Sequence, residues 1–216
     1  MKIKIAPSIL ASDFSKLGET VRQLEENGAD YIHCDVMDGN FVPPITFGAQ
    51  AVKAMRPHTA LPLDCHLMVT KPEARIEEFV KAGADIITVH AEAAKDLLGT
   101  IGAIQGFGVK GSAVINPATP AKKLFAACEV ADMLLIMSVV PGWGGQKFIP
   151  ETLKKIEAVR NYCIKIGRPE LDIEVDGGVT EENVKDVISA GANVIVAGSA
   201  VFKSRDMAAT IAALRG

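Results

Sequence analysis

Short apolar runs alternate with amphipathic segments along the whole chain. Eight of these runs have the length and nearly continuous apolar character of parallel strands that are covered on both faces. They are Ile3–Ile9, Tyr31–Met37, Leu63–Val69, Ile86–His90, Gly111–Ile115, Met133–Val139, Asp172–Asp176 and Val194–Gly198. The segments between them show helical periodicity, so the pattern predicts strand–helix units in unbroken succession.

The amphipathic segments carry the start and stop signals of helices. Ser12 or Asp13 can cap a helix that follows them, and Thr180 can cap another near the C-terminus. Pro72 can open a helix that Gly83 ends. Eight such units favour a (β/α)8 TIM barrel over a doubly wound sheet, within about the length that this fold needs. No linker divides the chain, so we expect one catalytic domain over residues 1–216.

Composition narrows the classes of function. The 49% hydrophobic content argues against disorder, and a net charge of -3 argues against nucleic acid as a partner. The scattered cysteines Cys34, Cys65, Cys128 and Cys163 form no C-x-x-C pair, which is typical of a reduced intracellular protein. No apolar run approaches the roughly 20 residues that cross a bilayer, and no signal segment is visible. We expect a cytoplasmic protein without membrane contact; a chloroplast location stays open if a transit peptide was removed.

Polar side chains interrupt three of the predicted strands. His33 and Asp35 lie two residues apart in the second strand, His66 lies in the third and Asp176 ends the seventh. Residues two apart share one face of a strand, and buried ionisable groups are costly unless they are paired or bind metal. Two imidazoles and two carboxylates can together hold one divalent ion, and Zn, Fe, Mn or Co suits this donor set. The same two carboxylates can also act as acid and base on a bound substrate.

Glycine-rich loops follow three consecutive strands. Asp176-Gly-Gly-Val179 and Ala197-Gly-Ser199 follow the seventh and eighth strands, where barrels often bind phosphate through backbone N–H groups. The candidate phosphate contacts are Gly177, Gly178, Gly198 and Ser199. The loop Pro141-Gly-Trp-Gly-Gly145 follows the sixth strand and suits a mobile flap formed by Gly142, Trp143, Gly144 and Gly145.

Several other residues near the strand ends are expected to lie around the candidate site. Met37, Met68 and Met137 can form an apolar, polarizable wall over the reaction centre. His90 ends the fourth strand and can line the barrel mouth, although it ranks below the other two histidines. Asp38 is expected to belong to the loop that follows the second strand.

At these residues the chain resembles the ribulose-phosphate 3-epimerase family. The similar segments are Ala6-Pro-Ser-Ile-Leu-Ala-Ser-Asp-Phe14, His33-Cys-Asp-Val-Met-Asp-Gly-Asn-Phe-Val-Pro43, Asp64-Cys-His-Leu-Met-Val69, Met137-Ser-Val-Val-Pro-Gly-Trp-Gly-Gly-Gln146, Glu174-Val-Asp-Gly-Gly178 and Ala197-Gly-Ser-Ala-Val-Phe202. They span the length of the chain. The resemblance differs in the flap, where the family often has Phe at Trp143 and a polar residue at Val140.

The resemblance implies a (β/α)8 barrel that interconverts D-ribulose 5-phosphate and D-xylulose 5-phosphate. It implies metal ligands at His33, Asp35, His66 and Asp176, with Asp35 and Asp176 as the acid–base pair. It also implies substrate contacts at Ser8 and His66. We expect one divalent ion per subunit, a small ketose phosphate as substrate, and a homo-oligomer, either a dimer or a hexamer.

The chemistry of epimerisation agrees with these residues. Inverting the carbon beside a carbonyl requires proton removal on one face and proton return on the other, which two carboxylates on opposite sides can provide. A metal ion would stabilise the enediolate between these two steps.

Three alternatives are weighed against this function. An allulose-6-phosphate 3-epimerase would share the fold, the metal and both carboxylates, and would differ in room for one more carbon. A non-catalytic sugar-phosphate-binding barrel predicts the loss of a carboxylate or a metal ligand. A metal-free barrel synthase would share only the glycine-rich loops.

Overall fold

The computed structural model describes all 216 residues of the chain as a closed ring of parallel strands surrounded by helices. The strands are β1 (Lys4–Pro7), β2 (Ile32–Met37), β3 (Leu63–Met68), β4 (Ile86–His90), β5 (Lys110–Ile115), β6 (Met133–Met137), β7 (Asp172–Asp176) and β8 (Val194–Ala197). Their order in the sheet is β1-β8-β7-β6-β5-β4-β3-β2. A parallel bridge between Ser8, which follows β1, and His33 in β2 joins the first and last strands of this order. The ring therefore closes into the predicted (β/α)8 TIM barrel.

The α-helices pack outside this ring. They are α1 (Leu17–Glu26), α2 (Ala49–Met55), α3 (Ile76–Ala82), α4 (Leu97–Gly106), α5 (Ala127–Val130), α6 (Leu153–Lys165), α7 (Val184–Ser189), α8 (Ser199–Phe202) and α9 (Met207–Ala213). Short 3-10 turns cover Ile9–Ala11, Phe14–Lys16, Arg56–His58, Pro72–Ala74, Ala121–Leu124 and Pro150–Thr152. None of the helices is both long and apolar enough to cross a bilayer.

The main hydrophobic core lies between the strands and the helices. Alternation along β2 sends Ile32, Cys34 and Val36 into this core of 45 buried residues, while His33 and Asp35 point into the barrel. The four cysteines are free and buried. The same alternation therefore provides both the outer core and an inner lining that is free to carry polar chemistry.

The inside of the barrel is polar at its middle. The fully buried side chains here belong to His33, Asp64, Thr88, Ser112 and Glu174. A small apolar cluster that includes side chains from the N-terminal ends of β4 and β6 lies on the side away from the glycine-rich loops. The buried polar groups are thus enclosed on that side and open only toward the C-terminal ends of the strands.

Several predicted boundaries were wrong by one or two residues. The first strand ends at Pro7 and not at Ile9, because Ile9–Ala11 turns into a 3-10 helix. The sixth strand ends at Met137 and not at Val139, where the flap loop begins. The eighth ends at Ala197, since Gly198 already caps α8.

One predicted helix start differs from the structure, whereas another start and one helix end agree. Asp13 is the capping residue of the pair, since its carboxylate accepts from Ser15 N and opens a 3-10 turn. Thr180 does not cap with its side chain; its carbonyl accepts from the amide of Val184, and the helix begins after Asn183. Gly83 ends α3 in the left-handed region at φ 96°, as predicted.

The side chain of Arg160 stabilises the base of β7 and β8. It is 5% exposed, and its guanidinium donates to the carbonyls of Pro169, Leu171 and Gly191 and to Asn193 Oδ1. Replacing it by Met would remove the guanidinium donor from the three carbonyls, while Asn193 Oδ1 would keep the hydrogen bond from the amide of Ile173. We expect Arg160→Met to lower the free energy of unfolding by roughly 2–4 kcal/mol, measured by urea denaturation.

Arg75 offers a matched control on the surface. Its guanidinium lies 3.4 Å from Glu78, and both side chains are about half exposed. Arg75→Met should change the free energy of unfolding by less than about 0.5 kcal/mol. If both variants lost the same free energy of unfolding, the stabilising role of Arg160 would be contradicted.

Candidate active site and metal centre

Strands β2, β3 and β7 bring the four predicted metal ligands together. Asp35 lies opposite His66 in the register of β2 and β3, and Asp176 is the last residue of β7. One ligand atom from each of His33, Asp35, His66 and Asp176 lies within 4.8 Å of all the others. Residues that are distant in sequence therefore converge at the C-terminal ends of the strands.

The donor atoms of this group point at one another across a small gap. Oδ1 of Asp35 is 3.4 Å from His33 Nε2 and 3.1 Å from His66 Nδ1. The same two nitrogens are 4.0 and 3.9 Å from Asp176 Oδ2. His33 Nε2 is buried and has no hydrogen-bond partner. An orphaned nitrogen among convergent carboxylates fits a divalent cation, because such an ion would supply the missing partner.

The two carboxylates have different proton affinities. Burial alone would raise the pKa of Asp35, but the charge and hydrogen bonds of His33 and His66 outweigh it and hold that pKa far below its usual range. Burial, reinforced by the charge of Asp35, raises the pKa of Asp176 to about 6. The two carboxylates therefore have different electrostatic surroundings, because Asp35 lies closer to both imidazoles than Asp176 does.

A second carboxylate orients His33 from the inner side. Asp64 Oδ2 lies 2.8 Å from His33 Nδ1, and Glu174 Oε1 lies 3.5 Å from the same nitrogen. A carboxylate acceptor keeps the proton on Nδ1 and leaves the lone pair of Nε2 directed at the metal-ligand group. Burial, together with the charge of Asp64, raises the pKa of Glu174 well above its usual range.

Asp64 and Glu174 were not among the predicted site residues. The signal was present, because each lies two residues before a predicted ligand and so shares its inward face. His90, which was expected near the mouth, is fully buried beside His66, with ring centroids 5.0 Å apart. Burial lowers the pKa of His90 to about 4.

A cavity of about 570 Å³ opens directly above the group. Among the residues that line it are these predicted substrate contacts: Ser8, Met37, Met68, Met137, Gly142, Trp143, Gly144, Gly145, Gly177, Gly178, Gly198 and Ser199. Both Asp35 and Asp176 also reach its surface. His66 is fully buried and does not line the cavity. Ser8 Oγ donates to Asp35 Oδ2 at 2.6 Å, so this hydroxyl also orients a carboxylate.

The loop after β7 packs tightly against the flap loop. Gly178 has a φ of 67°, and a Cβ placed on it would lie 2.3 Å from the backbone nitrogen of Phe148. A Cβ on Gly177 would meet Val139 at 2.4 Å. Only glycine fits at these two positions, which explains the Gly-Gly pair on steric grounds.

The flap itself has internal hydrogen bonds. The side-chain amide of Gln146 donates to the carbonyls of Val140 and Trp143 at 2.6 and 2.8 Å. The side chain of Trp143 remains 64% exposed at the rim of the cavity. The flap is therefore a defined turn that presents an unpacked aromatic ring beside the cavity.

The fold and the site first define a class: a TIM-barrel enzyme with a buried His/Asp group placed to hold a metal ion. Residues 4–202 match the sequence model of the ribulose-phosphate 3 epimerase family. The chain is 50% identical to the ribulose-phosphate 3-epimerase of Bacillus subtilis (strain 168) over 99% of both chains. It is 53% identical to that of Synechocystis sp., over 99% of this chain and 93% of the relative. This chain belongs to the ribulose-phosphate 3-epimerase family.

Solved structures of lower identity share the barrel. The 3-hexulose-6-phosphate synthase from Salmonella typhimurium superposes with a TM-score of 0.69 at 20% identity, over 99% of this chain and 97% of that one. At this identity the likeness concerns the fold alone.

Asp38 joins the loops that follow β2 and β3, as its predicted loop position implied. One carboxylate oxygen accepts from the amides of Asn40 and Phe41, and the other accepts from the amide and hydroxyl of Thr70. These hydrogen bonds outweigh burial and lower the pKa of Asp38 to about 2. The ionised carboxylate therefore stabilises the folded loops.

We expect Asp38→Asn to destabilise the protein by about 1–2 kcal/mol at pH 6, because an amide cannot accept all four bonds. The folded pKa is depressed, so this advantage of the wild type is complete above about pH 4 and is lost as pH falls toward 2. Urea denaturation of both proteins at pH 6 and pH 3 measures it. An equal difference at both pH values would contradict the role of the ionised carboxylate.

Proposed function

We propose that the chain interconverts D-ribulose 5-phosphate and D-xylulose 5-phosphate by inverting the configuration at C3. The observation that carries this proposal is the pair Asp35 and Asp176, which reach one cavity from strands β2 and β7 beside two imidazoles. The names of the Bacillus and Synechocystis relatives support the same substrates.

We propose that His33 Nε2, His66 Nδ1 and one oxygen each of Asp35 and Asp176 hold one divalent ion, either Zn, Fe, Mn or Co. Two imidazole nitrogens and two carboxylate oxygens suit borderline transition metals. The group has neither the cysteine thiolates of a thiolate site nor the oxygen-only ligands of a calcium site. When bound, the ion would withdraw electrons from the substrate carbonyl and make the neighbouring C–H more acidic.

The two carboxylates then move the proton at C3. In one direction Asp35 accepts it, and the hydroxyl of Ser8 orients the second oxygen of this carboxylate. Asp176, which reaches the same cavity from β7, returns a proton to the other face. The roles exchange in the reverse direction. Strands β2 and β7 are separated by β1 and β8 around the ring, which allows the two groups to act on different faces.

The remaining cavity residues bind and cover the substrate in this proposal. Backbone amides around Gly177, Gly178, Gly198 and Ser199 hold the phosphate at the mouth. The flap Gly142–Gly145, with Trp143 at its rim, excludes water from the reaction. The apolar wall of Met37, Met68 and Met137 lowers the local dielectric around the carboxylates.

An allulose-6-phosphate 3-epimerase remains the second candidate function, because the cavity of about 570 Å³ does not by itself reject one more carbon. A non-catalytic sugar-phosphate-binding barrel is disfavoured, because both carboxylates and both imidazoles are kept together. Four buried free cysteines suit a reducing compartment, and we propose the cytoplasm. A homo-oligomer, either a dimer or a hexamer, stays a prediction.

The substrate and the metal can be tested in one experiment. Chelated, metal-free protein should have no epimerase activity, and adding back Zn, Mn, Co or Fe should restore it. Ribulose 5-phosphate should then turn over with a higher kcat/KM than allulose 6-phosphate, and unphosphorylated ribulose should turn over poorly because it lacks the phosphate contacts.

Metal content measured on the same samples is the control for this test. Full activity in metal-free protein would contradict the metal site. Equal turnover of ribulose and ribulose 5-phosphate would contradict the phosphate site, and a preference for allulose 6-phosphate would favour the second candidate.

The two-carboxylate mechanism predicts the effect of two amide variants. Asp35→Asn and Asp176→Asn should each lower kcat by roughly 10²–10⁴-fold, because an amide cannot accept or deliver the proton. One variant that retains metal can still exchange the C3 proton of a single epimer with solvent deuterium without epimerising it. Near wild-type epimerisation by either metal-loaded variant would exclude the mechanism.

A further inference from the structure

A chain of hydrogen-bonding groups extends from the metal-ligand group to the outer loops of the barrel. Asp35 Oδ1 is 3.1 Å from His66 Nδ1, and His66 Nε2 is 2.8 Å from His90 Nε2. His90 Nδ1 is in turn 3.2 Å from Glu92 Oε2. Both imidazoles are fully buried, whereas the Glu92 side chain is 24% exposed. This hydrogen-bonded series therefore begins at the carboxylate of Asp35 and ends at that of Glu92, with two imidazole rings between them.

The number of protons decides how this chain can be satisfied. Each neutral imidazole carries one N–H and one lone pair. The two neutral rings together carry two N–H protons. The series has three contacts that each need one, namely Asp35–His66, His66–His90 and His90–Glu92. If a metal ion takes the place of the proton between Asp35 and His66 Nδ1, only two contacts remain. The two protons then satisfy both, one on His66 Nε2 and one on His90 Nδ1.

From this geometry we propose that Glu92 and His90 are positioning residues that direct the lone pair of His66 Nδ1 at the metal ion. Glu92 has only acceptor oxygens, so it holds the proton of His90 on Nδ1. His90 Nε2 then presents a lone pair, which takes the hydrogen bond from His66 Nε2–H. That bond leaves His66 Nδ1 without a proton and ready to bind metal. The inference rests on the metal site of the proposed function.

Glu92 is anchored from the opposite side. Its other oxygen, Oε1, accepts from the amide of Asn116 at 2.8 Å and from the hydroxyl of Thr119. The ammonium group of Lys155 donates to the backbone carbonyls of that same loop, after β5. Both oxygens of Glu92 thus have fixed partners, and the one that faces His90 cannot turn away without breaking the loop contacts.

His90 is also held in place from above. The ring of Phe41 packs against it with centroids 4.6 Å apart. A rotation of the imidazole ring about its Cβ–Cγ bond would have to displace the ring of Phe41. The orientation of His90 is therefore defined by packing, and its hydrogen-bonding direction is defined by Glu92.

The affinity for Zn²⁺, measured by competition with a chromophoric chelator, tests the proposal. His90→Leu removes the acceptor and should weaken Zn²⁺ binding by roughly 10–100-fold, as is common for partners of metal-ligating histidines. Glu92→Leu should weaken it by about tenfold. His90→Gln keeps an acceptor toward His66 and a donor toward Glu92, so it should recover most of the affinity lost in the leucine variant.

Thr119→Val provides the matched control. It removes one contact of Glu92 Oε1 and leaves the contact between Glu92 and His90, so it should change the Zn²⁺ affinity by less than about twofold. Equal losses in Thr119→Val and Glu92→Leu would show that loop stability alone matters, which would overturn the proposal. Unchanged affinity in folded His90→Leu, or in Glu92→Leu, would overturn it as well.

A second measurement needs no variant and does not depend on turnover. In the ¹⁵N spectrum of the Zn²⁺-loaded wild-type protein, His66 should carry its proton on Nε2 and His90 should carry its proton on Nδ1. A proton on His90 Nε2 would overturn the proposal. Because this readout and the Zn²⁺ affinity are independent of substrate, the proposal can fail while epimerisation stands. Absence of any Zn²⁺ binding by the wild type would instead overturn the metal site itself.

Discussion

Ionisable side chains inside the barrel are cut off from water, and each of them needs a partner to remain there. Asp35 contacts both His33 and His66 and accepts a hydrogen bond from Ser8, while Asp64 takes the other nitrogen of His33. The nitrogen that makes no hydrogen bond, His33 Nε2, faces Asp35 and Asp176 at 3.4 and 4.0 Å. A divalent ion at this point would compensate the negative charge and the orphaned nitrogen together, so the proposed metal site would complete the polar interior.

The strand pleat makes this arrangement compatible with a stable fold. Outward residues such as Cys34 and Cys65 join the core beneath the helices, so the polar inner face takes no apolar surface from it. The inner charges meet only where the strands end and the cavity begins. The loop that contains Gly177 and Gly178 packs against the flap loop beside the cavity, because neither residue has a Cβ that would clash with Val139 or Phe148. Stability and chemistry thus depend on opposite faces of the same strands.

The fold and the convergence of His33, Asp35, His66 and Asp176 could be predicted, because both follow from short-range periodicity. His33, Asp35 and His66 stand out in sequence as polar residues within apolar strands. Asp64 and Glu174 obey the same alternation, yet periodicity alone does not say which inward carboxylate reaches the cavity and which supports it from below. Glu92 lies beyond its strand, and its contact with His90 depends on a loop after β5 that no local pattern predicts. The strand ends were misjudged where apolar residues such as Ile9 continue into a turn.

The central claim is that His33, Asp35, His66 and Asp176 together hold one catalytic ion. Crystals of protein reconstituted with Zn²⁺ or Co²⁺, measured at the absorption edge of the metal, test this most directly. The account predicts a single anomalous peak per chain, bonded to His33 Nε2, His66 Nδ1 and an oxygen of each aspartate at about 2.0–2.2 Å. A strong peak elsewhere with none among these four residues would contradict it, as would an ion bound between Asp64 and Glu174 alone.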